Sequence, residues 1–161
     1  MKPPIKVIGI DPGLAHTGFG IVEGIGSRIA GFTFGTIRTP KAEALATRLD
    51  HIFSKLSSIL HMERPDLMVL EDVFSLGAYP KAGIVLGKVC GVILLAGAQC
   101  GVEAIELPAK EVKRILSGNG NATKTQVEKA VRHFLKRQTA ISPSHASDAL
   151  ALALVGLFRH P

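Results

Sequence analysis

Asp11, Glu71, His145 and Asp148 are the residues whose types and settings point to chemistry in this chain. Asp11 closes the apolar run VIGI and is followed at once by Pro12-Gly13, and Glu71 closes the similar run LMVL. A carboxylate at the tip of a buried strand is costly to desolvate unless a cation or a hydrogen-bond donor meets it. Either acid alone reads better as the cap of a turn. Two acids at two core-strand ends can also meet at one edge of a sheet. In Ser144-His-Ala-Ser-Asp148 the histidine and the second acid are three residues apart, so on a helix they share one face of the opening turn. The segment that follows, ALALALVGLF, is apolar nearly all round, which marks a buried helix. A helix start by itself favours negative charge, so a purely structural Asp148 is a competing reading. Taken together, the four side chains form a cluster that needs a compensating cation. Oxygen ligands suit Mg²⁺ or Mn²⁺, and the imidazole tilts the set toward Mn²⁺. Two such ions about 4 Å apart would activate water and stabilise the leaving oxygen in phosphodiester hydrolysis.

These residues need strands and helices to hold them. Ile5–Asp11 reads as a buried strand, and 18–23 and 28–38 as two more, separated by glycine-bearing turns. Leu45, Leu49, Ile52, Leu56 and Ile59 recur at helical spacing before Pro65. Residues 66–71 and 102–107 are short apolar runs that read as strands, and 108–116 as a helix. Thr123-Lys-Thr-Gln126 is a capping box opening a basic helix expected to reach Arg137. Ser142-Pro143-Ser144 starts the last helix. Residues 80–100 form the most hydrophobic segment. Its length approaches a membrane span, but Lys88 at its middle would cost about 3 kcal/mol at a bilayer centre. Gly83, Gly87 and Gly91 recur every four residues, so the segment reads as a buried, closely packed helix, with a dimer interface as a further use of the stripe. The whole is an α/β mixed sheet with helices on both faces, in a single domain spanning 1–161.

Charge locates a partner. Residues 1–107 carry ten Lys/Arg and ten Asp/Glu; residues 108–161 carry nine basic groups against Glu111, Glu128 and Asp148, so the whole net charge of +6 lies in the last third. A basic surface of this kind fits nucleic acid, with a merely solvated face as the alternative. Cys90 and Cys100 lie in apolar sequence without zinc-ligand spacing, and read as reduced core thiols. The N-terminus has no signal-peptide pattern, so a cytoplasmic location is expected.

The segments IGIDPGLAHTGFGIV, LEDVF, VKRILSGNGNATKTQV and HASDALALAL together resemble the RuvC family of bacterial Holliday-junction resolvases, over about residues 5–158. The resemblance implies an RNase H-like fold, a homodimer, magnesium (one or two ions per subunit), and paired nicks in opposing strands of a four-way DNA junction. It also implies branch-migration partners of the RuvA and RuvB kind. Asp11, Glu71 and Asp148 match the family's catalytic and metal-binding acids. His145 falls where many relatives carry a further aspartate, so its role as ligand or as general acid or base stays open. Lys113 and Lys124 match lysines near the scissile DNA, and Phe74 matches a phenylalanine that handles the junction centre. Tyr79, in the same loop, has no such match.

Two other readings compete. A phosphotransferase of the actin and sugar-kinase type would use Asp11 with Gly13, Gly18 and Gly20, but it needs two such domains and the chain carries no GxxxxGK[ST] pattern. A junction-binding scaffold without catalysis gains nothing from carboxylates facing phosphate.

Overall fold

The computed structural model describes residues 2–72 and 80–160. Phe74 and Tyr79 therefore lie outside the described residues. The elements are β1 (Ile5–Asp11), β2 (His16–Ile25), β3 (Arg28–Arg38), α1 (Leu45–Glu63), β4 (Leu67–Glu71), α2 (Pro80–Gln99), β5 (Glu103–Leu107), α3 (Ala109–Ser117), α4 (Lys124–Leu135) and α5 (Ser144–Arg159).

The strands form one five-stranded mixed sheet in the order β3-β2-β1-β4-β5. β1, β2 and β3 pair antiparallel, while β4 joins β1, and β5 joins β4, in parallel. Alternation along the strands sends side chains to two separate cores. Val7, Val69 and Leu67 face a core completed by α3, α4 and α5. Ile8, Ile10, Met68 and Leu70 face a core completed by α1 and α2. Asp11 continues the 7-9-11 row and Glu71 the 67-69-71 row, so both acids belong to the α5 side. The pairing Ile10↔Leu70 sets the two strand ends beside each other.

α5 lies across that side of the sheet at very short range. A Cβ at Gly9 would stand 2.0 Å from the Ala149 carbonyl oxygen, and one at Gly18 would stand 2.2 Å from that of His145. Only hydrogen fits at either position. Gly18 is also the cross-strand partner of Asp11. The same close approach that seats α5 thus puts its first turn over the acidic end of β1. The loop between β1 and β2 is pinned as well: Thr17 Oγ1 donates to the Gly13 carbonyl at 2.7 Å, and Thr39 Oγ1 donates to that of Leu14 at 2.5 Å.

Two expectations need correction. α2 is not buried all round. Val89, Cys90, Ile93, Ala96 and Gly97 pack inward, but Ile84 and Leu95 are 61% and 51% exposed, and a Cβ at Gly87 or Gly91 would touch nothing within 4 Å. Gly87 and Gly91 of the stripe therefore lie on the open side. The helix is long and apolar enough to cross a membrane by length and composition, though it also supplies part of the second core. α4 ends at Leu135, because Lys136 takes a left-handed conformation (φ 52°) and its N–H caps the helix. α1 keeps the expected helical spacing, with Ile52 and Leu56 buried, Leu45, Leu49 and Ile59 half-buried, and Leu60 buried beside them. Of the thiols, Cys90 is buried and pushed up to about 11 by desolvation and by Glu106, whereas Cys100 is half-buried beside His61.

Gly18→Ala is expected to destabilise the fold by about 1–3 kcal/mol in denaturant titration, as overpacking against backbone does. Gly31→Ala, where the added methyl meets open space, should change stability far less. Equal stability of the two variants would contradict the seating of α5 described above.

Candidate active site

The four side chains reach one cleft from three elements. Asp11 comes from the end of β1, Glu71 from the end of β4, and His145 and Asp148 from the first turn of α5. All four line a cavity of about 250 Å³, together with Lys113 of α3, Lys124 of α4 and an apolar wall that includes Val112, Val127 and Leu152. Lys113 and Lys124 thus stand with the acids. Both belong to helices that cover the same sheet face.

Asp11 is the most enclosed of the group, with a side chain only 16% exposed. It accepts a hydrogen bond at 2.8 Å from His145 Nδ1. With the proton on Nδ1, Nε2 remains free as an acceptor or metal ligand. Lys124 Nζ lies 3.5 Å from Asp148 Oδ2. Burial holds the Asp11 carboxyl above its ordinary value, and Asp148 adds to this, while His145 and Lys124 pull the other way. Burial likewise raises Glu71, followed by the charges of Asp11 and Asp148, against the opposing pull of Lys113 and Lys124. The two lysines and the imidazole leave this negative cluster under-compensated.

The donor set is three carboxylates and an imidazole nitrogen, which suits a hard or borderline divalent cation. Its present spacing is not that of a closed coordination shell: among the described residues no three His, Cys, Asp or Glu side chains stand close enough to hold an ion. His145 is hydrogen-bonded to Asp11, and Lys124 is paired with Asp148. An ion would therefore draw in side chains that already face one space. Sequence reading did not single out His16. It stands at the start of β2, and its ring packs 5.7 Å from that of His145, tilted by 41°. The hairpin register Asp11↔Gly18 is the signal that places it at the cleft's rim.

A mixed sheet of this order, with acids at adjacent strand ends and at the start of the crossing helix, defines an RNase H-like α/β nuclease fold. Residues 7–156 match the family model described as crossover junction endodeoxyribonuclease RuvC. The curated RuvC of Bordetella avium is 41% identical over 150 residues, which are 93% of this chain and 82% of that protein. That of Carboxydothermus hydrogenoformans is 39% identical over 155 residues, covering 96% and 97%. A Thermus thermophilus RuvC solved in complex with a Holliday junction substrate superposes with TM-score 0.90 at 32% identity, covering 96% of this chain and 93% of that one. The yeast mitochondrial Holliday junction resolvase Ydc2, at 13% identity and TM-score 0.64, shares the fold. The chain belongs to the RuvC family of crossover junction endodeoxyribonucleases, a family of metal-dependent nucleases.

The raised carboxyls make a prediction about stability. A folded-state pKa above the unfolded one means that the charged form opposes folding. The penalty is complete at neutral pH, fades as pH falls through the raised folded-state value, and is gone below the ordinary value of 4.5 for Glu71. Glu71→Gln should therefore raise the melting temperature in EDTA at neutral pH, with the gain shrinking as pH approaches 4.5. A variant that melts below wild type at neutral pH in EDTA would contradict the assignment.

Proposed function

We propose that this chain resolves four-way (Holliday) DNA junctions during recombination and repair, by metal-dependent hydrolysis of phosphodiester bonds in opposing strands. The observation that carries the reading is the meeting of Asp11, Glu71, His145 and Asp148 in one cleft flanked by Lys113 and Lys124. The chain that presents it matches a resolvase bound to its junction over nearly its full length. One sheet and its covering helices take in all ten elements, in keeping with a single domain over 1–161.

Asp11, Glu71, Asp148 and His145 are the groups that would hold Mg²⁺, with Mn²⁺ as a substitute, at one or two ions per subunit. Such ions supply an activated water and charge stabilisation at the leaving oxygen. The chain's own contribution is positional. Asp11 orients the His145 ring through Nδ1, so that Nε2 either ligates or relays a proton. Lys113 and Lys124 offset phosphate charge, Lys124 from the first turn of α4, where backbone N–H groups already favour an anion. Phe74 is assigned to the junction centre, stacking on or wedging between bases, a contribution of roughly 1–3 kcal/mol per base.

Coordinated cutting of two strands needs two active sites, which a homodimer supplies. The open side of α2, with Ile84, Gly87, Gly91 and Leu95 in one stripe, is the face we assign to it. Branch-migration proteins of the RuvA and RuvB kind are the expected partners, in the cytoplasm. Sedimentation that finds only monomer at micromolar concentration would count against the dimer.

The direct test uses a synthetic four-way junction beside a linear duplex, with magnesium or manganese. Wild type should nick the junction in opposing strands and spare the duplex, and Asp11→Asn should bind the junction without nicking it. Full nicking by a clean Asp11→Asn preparation would remove that residue from the chemistry.

A further inference from the structure

A second concavity, of about 400 Å³, lies on another side of α4 from the cleft. Val127 and Lys124 line the cleft, whereas Gln126, Lys129 and His133 line the groove, with Ser117 and Asn119 of the preceding turn and Phe134 at its end. The chemistry of its wall is one-sided. Gln126 Oε1 accepts from the Thr123 N–H at 2.9 Å in the capping box, and Asn119 Oδ1 accepts from the Asn121 N–H at 2.9 Å. Each amide thus spends an oxygen lone pair on local backbone and keeps its NH₂ as a donor. Ser117 Oγ donates to the Lys113 carbonyl at 2.7 Å. Among the described residues no carboxylate lines the groove. The three acids of the last third are engaged elsewhere: Glu111 with Arg159 and Arg114, Glu128 with Arg132, and Asp148 with Lys124. Lys129, on the exposed side of α4, faces the groove with no acid opposite it.

Amide NH₂ groups, an ammonium and an imidazole set beside the apolar Leu116, Ala130 and Phe134, with no carboxylate among the described lining residues, fit a chain of anions. We infer that this groove receives a phosphodiester backbone of the junction arm whose scissile strand lies in the cleft. A duplex carries two backbones. With one held at Lys113 and Lys124, the groove on another side of α4, along Gln126, Lys129 and His133, would take the other. Seven steps of helix run from Gln126 to His133, about 10 Å along α4. Phosphates on one strand recur every 3.4 Å of duplex axis, so this length accommodates several of them. The inference rests on the proposed junction-cleaving function, and it adds a binding surface that the cleft does not contain.

Two variants isolate the groove. Asn119→Asp with Gln126→Glu keeps both oxygens that cap local backbone, and replaces only the outward donors by acceptors. Lys129→Ala removes the ammonium. Affinity for a fluorescent four-way junction is measured by anisotropy from 50 to 200 mM salt, in EDTA to prevent cutting, with melting temperatures recorded alongside. The double variant should melt like wild type and bind at least about tenfold more weakly at low salt, because carboxylates now face phosphates. Lys129→Ala should flatten the log–log salt dependence by about one phosphate. Wild-type affinity and slope in both variants would overturn the inference. If the double variant melts low, the Lys129→Ala slope decides alone. Failure of the function reading looks different, because wild type would then show no preference for the four-way junction over linear duplex. In that event the Lys129→Ala slope on linear duplex still tests whether the groove holds a DNA backbone.

Discussion

Three carboxylates brought to one edge of a low-dielectric sheet repel one another and lose hydration, and the rest of the molecule is arranged around that deficit. Burial and mutual repulsion raise both Asp11 and Glu71. What balances them within the protein is partial: an imidazole N–H on Asp11 and a largely exposed lysine 3.5 Å from Asp148. A fold selected for stability alone would place polar neutral or apolar groups at such positions. On the function proposed above, a divalent cation and, beyond it, a phosphate would account for the retained charge.

The geometry that creates the deficit comes from backbone contact more than from the acids. α5 is apolar on nearly every side because it is wrapped by the sheet and by α3 and α4. It reaches the sheet where Gly9, Gly18 and Gly20 offer no side chain. Its first turn then falls on the β1 end, and the parallel register of β1 with β4 brings Glu71 alongside. The loop after Asp11 is held by two buried threonine hydroxyls, so the strand end cannot drift away from the helix. The basic helices α3 and α4 cover the same face and put positive charge on two sides of one turn: at the cleft through Lys113 and Lys124, and in the groove through Lys129.

Much of this was legible in the chain itself. Asp11 and Glu71 betray themselves by ending apolar runs, and the capping box of α4 is spelled out by Thr123 and Gln126. Asp148 was legible because the helix behind it has no polar face. What escaped depends on register and on which face is covered. His16 reaches the cleft only through the pairing of β1 with β2, which no local pattern encodes. α2 is apolar nearly all round, and the exposed Lys88 at its middle is the one residue there that hints at an open side. A lysine in left-handed conformation ends α4 two residues early, where a glycine would have announced the stop. The polar side of the groove was invisible because it depends on which atom of each amide the backbone has already taken.

The central claim is that the acidic cluster exists to hold a divalent ion. Calorimetric or paramagnetic titration with Mn²⁺, without DNA, tests it most directly on wild type and on a variant combining Asp11→Asn, Glu71→Gln and Asp148→Asn. Wild type is expected to bind one or two ions per chain in a saturable step that the triple variant lacks. Equal stoichiometry and affinity in the two proteins would contradict it.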